Sequence, residues 1–332
     1  MKKGGKGVLG FVLLVALVVW GWVVVPAGPS VAAEKVKVML LLPGVIGDQA
    51  WNAAAYRGLV DTQKALGVRM DYLESVRQAD FEEILRDLGV KGYNIVICHG
   101  TQFTDAAEKI SPLFPKTQYW IVAGYKAKPP NLGSIALREW EAGYVAGVIA
   151  GMMTKNNKIA SLGGFPYPII AETLAGYEAA AKRFNPKVKV TSIYLNSWSD
   201  VAKGKEQTKA LIEAGNDVVY CVANETCIGV AQAAQEGSVR AIGNMTDQSS
   251  IAPNAVMQSV LFQFSSFFKS VVQRYQGGTL KAAMESYGFK EGMWGLSGYH
   301  ASVPQRVKGT VDQVIDELKA GKIPYPHKPK KK

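Results

Sequence analysis

Along this chain short apolar runs alternate with longer stretches whose apolar residues recur every three or four positions. Runs such as Lys37-Val38-Met39-Leu40-Leu41-Leu42-Pro43 and Asn94-Ile95-Val96-Ile97-Cys98 predict strands buried on both faces, and the periodic stretches between them predict helices. One unit is written twice, about 120 residues apart. Tyr72-Leu73-Glu74-Ser75, a helix over Phe81 to Leu88 and the run ending at Cys98 are echoed by Tyr194-Leu195-Asn196-Ser197, a second helix and Asp217-Val218-Val219-Tyr220-Cys221. Each copy has the pattern of a right-handed strand-helix-strand crossover in a parallel sheet. Two copies predict two similar lobes, and ligands of open parallel sheets bind beyond the carboxyl ends of the strands, so the loops of both lobes should border one crevice.

Further strands are expected at Gln118 to Val122 and Val256 to Val260, with helices at Thr101 to Ile110, Glu139 to Met153, Phe267 to Tyr275 and Val311 to Ala320. The prolines of Lys126-Ala127-Lys128-Pro129-Pro130-Asn131 mark the approach to a hinge. Small residues at Ala142, Gly143, Ala146, Gly147, Ala150 and Gly151 give the following helix one face that a neighbour can approach closely, and a sheet is the expected neighbour. The fold class is α/β, two doubly wound parallel-sheet lobes joined by a hinge of three crossing segments. The expected boundaries are 34–137 with 256–296 for the first lobe and 138–255 with 297–325 for the second. A length of 332 residues agrees with two domains, since single cores stop growing near roughly 250 to 300 residues.

Residues 1–33 stand apart. Lys2, Lys3 and Lys6 precede an apolar run from Val8 to Val25 and then Ser30-Val31-Ala32-Ala33, the layout of an export signal cleaved after Ala33. The run also reaches the lower limit for a membrane span, so a retained anchor is the alternative. No cysteine lies at the boundary for lipid attachment. The net charge of +11 is concentrated at the two ends, in those lysines and in Lys328, Lys330, Lys331 and Lys332 of the tail 326–332. The remainder is a solvated surface with no nucleic-acid signature. His99, His300 and His327 have no ligand spacing, so no metal or other cofactor is expected. Cys98 and Cys221 read as small buried side chains, although Cys221 and Cys227 could pair, and one thiol of three must stay free or pair between molecules. No phosphate-binding loop, nucleophile elbow or paired histidines point to an enzyme.

Gly47-Asp48-Gln49-Ala50-Trp51-Asn52, Arg138-Glu139-Trp140-Glu141-Ala142-Gly143-Tyr144-Val145-Ala146-Gly147, Phe165-Pro166-Tyr167-Pro168 and Asn196-Ser197-Trp198-Ser199-Asp200 occur in collinear order. Together they resemble the basic membrane protein family of substrate-binding proteins, over about residues 35 to 325. The resemblance implies a type I periplasmic-binding-protein fold and a non-catalytic, exported protein that traps a purine and serves the permease and ATPase subunits of an ABC importer. It implies a base held between Trp51 and Trp198, with Asp48, Asn52 and Asp247 as polar contacts, Gly100, Phe103 and Asn224 facing the cleft and Phe165 forming a wall. Ala123 and Asn244 stand where nucleoside-binding relatives carry aspartates, so a free base such as adenine is expected ahead of a nucleoside. A receptor that reports the same solute to a membrane sensor is the alternative.

Overall fold

The computed structural model describes residues 36–326, besides Met1 and Gly4. The expected signal or anchor segment and the lysines of the tail lie outside the described residues. Among the described residues no helix is long and apolar enough to cross a membrane.

The first lobe opens with β1 (Lys37–Leu41), α1 (Trp51–Leu66), β2 (Arg69–Leu73), α2 (Phe81–Val90), β3 (Ile95–His99), α3 (Thr104–Ile110), β4 (Gln118–Val122) and β5 (Leu132–Leu137). β3 is buried at every position, as its continuous apolar run requires. α2 turns Phe81, Leu85 and Leu88 inward at helical spacing. α1 stops where Gly67 adopts φ 63 and donates its N–H to the Gln63 carbonyl, a left-handed cap that a glycine adopts without steric cost. The chain then crosses through α4 (Glu139–Met153) into β6 (Lys158–Gly163), α5 (Pro168–Phe184), β7 (Lys189–Tyr194), α6 (Val201–Glu213), β8 (Val218–Val222), α7 (Thr226–Glu236), β9 (Arg240–Met245) and β10 (Val256–Phe262). It returns through α8 (Phe264–Gln276), which packs on α1, to β11 (Met284–Tyr287), and crosses a third time to β12 (Trp294–Leu296) and α9 (Gln305–Lys319).

The duplication is real at the level of register. The sheets run β2-β1-β3-β4-β5-β11 and β7-β6-β8-β9-β10-β12, parallel except where β12 runs antiparallel to β10. β1 lies between β2 and β3 as β6 lies between β7 and β8. Strand membership differs from the expected boundaries at two places. β10 and β12, placed by sequence in the first lobe, hydrogen-bond into the second sheet. The crossings therefore fall at 137–139, at Gln263 and at 288–293.

Two of those crossings are clasped together. Arg138 donates from Nε to Glu141 Oε1 at 2.5 Å and also pairs with Glu291, whose carboxylate accepts the Gly288 N–H at 2.9 Å. The other oxygen of Glu141 accepts the Phe289 N–H at 2.7 Å.

α4 is buried from Glu139 to Gly151, which suits a helix apolar nearly all round. Its small-residue face meets the backbone of helix α5, not the expected sheet. A Cβ at Gly143 would lie 2.0 Å from the Thr173 carbonyl oxygen, and one at Gly147 would lie 2.2 Å from that of Tyr177. Neither backbone can give way without parting the helices, so Gly147→Ala should cost at least ~1–3 kcal/mol and lower the urea midpoint. Gly309→Ala, in α9 where an added Cβ meets nothing within 4 Å, should be neutral or gain ~0.5–1 kcal/mol. Equal midpoints for the two variants would contradict this packing.

Candidate ligand-binding cleft

The loops at the carboxyl ends of both sheets border one cavity of about 960 Å³. The first lobe supplies Gly44 after β1, Trp51 and Asn52 at the start of α1, Gly100 to Gln102 after β3, and Ala123 to Tyr125 after β4. The second supplies Tyr167 to Ile170 at the start of α5, Trp198 before α6, Asn224 before α7 and Met245 at the end of β9. Leu137 and Glu139, on the first crossing, line it too.

Trp51 from the first lobe and Trp198 from the second thus line the same cavity, each packed against other rings. The Trp51 ring stacks on His99 with centroids 4.0 Å apart and meets Phe262 and Phe264 edge-on, both at 5.3 Å. His99 is fully buried, and burial pushes its pKa down to about 3, so the imidazole is neutral at physiological pH. Its Nε2 lies 3.1 Å from the Trp51 carbonyl oxygen, which can only accept, so the proton sits on Nε2. In the second lobe Trp198 lies 5.3 Å from Phe165 and 6.1 Å from Tyr167. Gly164 makes room for the indole, because a Cβ there would stand 2.2 Å from it.

Of the nine residues expected at the site, Trp51, Asn52, Gly100, Trp198 and Asn224 line the cavity. The other four lie off its wall, each for a visible reason. Asp48 is a buried cap for α1, and its carboxylate accepts the backbone N–H groups of Ala50, Asn52 and Ala53 and the Asn52 side-chain amide at 2.8–2.9 Å. Phe103 is fully buried, stacked on Phe81 at 3.9 Å in the core of the first lobe. Phe165 packs behind Trp198 as a buttress. Asp247 is exposed and accepts the Ser249 N–H in a local turn. Of the two positions where relatives carry aspartates, Ala123 lines the cavity and Asn244 is buried with its Oδ1 unpartnered among the described residues.

Sequence reasoning passed over Glu139 and Glu172, the two acids on the cavity wall, and over Tyr125, Gln102 and Tyr167. A signal for Glu139 was present: an acid heads a helix that is otherwise apolar all round. Cys221 and Cys227 form a disulfide that brackets the turn carrying Asn224, and the Ala223 N–H points at the Cys227 sulfur at 3.0 Å. Cys221 is therefore a bonded cysteine, whereas Cys98 is free and buried.

An aromatic-walled cleft between two parallel-sheet lobes joined by three crossings is the architecture of a solute-binding protein. The family described as ABC transporter substrate-binding protein PnrA-like matches residues 35–324, and the chain belongs to it. Proteins of this family are the substrate-binding components of ABC transporters and are not enzymes. The chain is 26% identical over 299 residues to a purine-binding protein of Brucella abortus (strain 2308), covering 89% of this chain and 84% of that one. It is 24% identical over 290 residues to the transcriptional activator protein med of Bacillus subtilis (strain 168), covering 87% and 90%. Among solved structures it resembles an ABC transporter solute-binding protein from Conexibacter woesei DSM 14684, with a TM-score of 0.78 and 21% identity over 88% of this chain and 100% of that one. That likeness is one of fold.

Burial pushes the Glu139 carboxyl up to about 8 from 4.5, with Glu172 nearby adding to the shift and the Thr173 hydroxyl opposing it. An acid whose folded pKa is raised binds its proton more tightly in the folded state, so stability is full below pH 4.5 and declines as pH rises toward 8. Urea midpoints measured from pH 4.5 to 8.5 should fall less steeply in Glu139→Gln than in the parent chain. Identical slopes would show that Glu139 ionises as freely folded as unfolded.

Proposed function

We propose that this chain is an exported binding protein that captures a purine, the free base adenine ahead of a nucleoside, and hands it to the permease of an ABC importer. The observation that carries the reading is that one cavity is lined by two indoles, Trp51 from the first lobe and Trp198 from the second. Stacking on an aromatic face is worth roughly 1 to 3 kcal/mol per base, and a planar ring between two such faces gains from both as the lobes close. Closure then follows from contacts made to both lobes in the shut state and to one in the open state. Asn52, Gly100 and Asn224 are the neighbouring contacts in this reading.

Purine specificity draws support from the Brucella relative, whose name states it. The preference for a free base rests on Ala123, a methyl group on the cavity wall that cannot hydrogen-bond a ligand. Export agrees with the Cys221–Cys227 disulfide, since such bonds persist in oxidising compartments. In this reading the segment 1–33 directs export, whether cleaved or kept as an anchor. The second reading is a receptor that reports the same solute to a membrane sensor; the Bacillus subtilis relative, named a transcriptional activator, carries a regulatory name without naming a sensor.

Calorimetric titration with adenine, hypoxanthine, adenosine and guanosine, followed also by tryptophan emission, tests the ligand class. Adenine should bind most tightly, and Trp198→Ala should weaken it about 10-fold or more. Response to sugars or amino acids with none to purines would overturn the assignment, and unchanged affinity in Trp198→Ala would reduce that indole to a packing role.

A further inference from the structure

The first turn of α4 carries two acids, and they have opposite fates. Residues two apart on a helix point about 200° away from each other, so Glu139 and Glu141 face different surroundings. Glu141 turns into the hinge, where Arg138 and the Phe289 N–H occupy both of its oxygens. Glu139 turns to the cleft and is only 6% exposed. Among the described residues its carboxyl makes one hydrogen-bond contact, with the Thr173 hydroxyl at 3.4 Å, and that hydroxyl already donates to the Ile169 carbonyl at 2.8 Å. A hydroxyl has one proton to give, so this long contact is a weak one and leaves the carboxyl free to pair with a ligand.

Asn52, which lines the same cavity from the first lobe, is committed elsewhere. It is 6% exposed, and its amide nitrogen is spent on Asp48 at 2.8 Å. Buried polar atoms are normally paired, and an acid held at the cavity with one long contact points to a ligand group that pairs with it. The charges agree: among the described residues Glu139 and Glu172 are the carboxylates on the wall, and no lysine, arginine or histidine lines it.

Resting on the purine reading above, we propose that Glu139 is a specificity-determining residue that hydrogen-bonds an amino-bearing edge of the ring, and that the cleft rejects anionic analogues. A neutral carboxyl offers an O–H donor beside a carbonyl acceptor, which matches a ring nitrogen next to an exocyclic amino group through two parallel hydrogen bonds. Burial favours that neutral form at Glu139. An anionic substituent at the same place meets acceptors and a second carboxylate with no cation to compensate, and a desolvated charge without a partner is strongly disfavoured.

The test compares three ligands on one ring, adenine, unsubstituted purine and purine-6-carboxylate, by calorimetry on the parent chain, Glu139→Gln and Glu139→Leu. Thermal melts check that each variant is folded. The parent should bind adenine at least about 10-fold more tightly than purine and should not take up the carboxylate at 100-fold higher concentration. Glu139→Gln, whose amide keeps a donor beside an acceptor, should retain adenine within about threefold, whereas Glu139→Leu should bind adenine and purine alike. A merely structural glutamate would leave the adenine-to-purine ratio unchanged in Glu139→Leu, and that result, or tight binding of purine-6-carboxylate, overturns the proposal. 4-Aminoquinazoline against quinazoline-4-carboxylate separates this from the purine reading, because the former carries a ring nitrogen beside an amino group on a ring that is not a purine. Should no purine bind, selective uptake of 4-aminoquinazoline that is lost in Glu139→Leu upholds the role of Glu139 while the purine reading falls; selective uptake of quinazoline-4-carboxylate, or of neither, overturns both.

Discussion

The arrangement of the molecule depends on the ionic clasp at the hinge. Arg138, on the first crossing, is held by Glu141 of the same helix and by Glu291 of the third crossing, and Glu141 also receives the Phe289 N–H. Glu141 is almost fully buried there, and a half-buried arginine and a backbone donor answer its two oxygens. The clasp binds two of the three connections into one block. It thereby ties the start of α4, which borders the cleft, to the third crossing.

From that block the two lobes work as platforms for flat surfaces. Trp51 rests on a neutral histidine and on the edges of Phe262 and Phe264, the residues that flank the second crossing, so the first indole is packed against the hinge itself. Trp198 rests on Phe165 and Tyr167, with Gly164 clearing the space beneath it. Rings braced in this way lose little freedom when a ligand arrives, and binding gains from faces already in place. The disulfide does the same for the turn that carries Asn224.

Much of the fold was legible because strands buried on both faces leave continuous apolar runs, and because the repeated unit from Tyr72 to Cys98 and from Tyr194 to Cys221 announces two sheets of one topology. The small-residue face of α4 was visible too, but its partner was not: whether a sheet or the α5 backbone fills such a groove is decided by tertiary packing, which spacing alone does not encode. The same holds for β10 and β12, whose hydrophobicity suits either sheet. At the site, the two tryptophans stood out beside polar loops. Asp48 and Phe103 sat in the right loops yet turn away from the cavity, Asp48 because the free N–H groups of α1 claim its carboxylate and Phe103 because Phe81 offers it a dry stacking partner. Glu139 was hidden in plain sight, an acid one residue from an arginine that in fact pairs elsewhere.

The most direct measurement is a crystal structure of the protein grown with adenine. The account predicts the lobes closed on a flat ring lying between the indoles of Trp51 and Trp198, with its amino group toward Glu139. A ring bound outside that gap, or lodged between the lobes without contact to either indole, would contradict it.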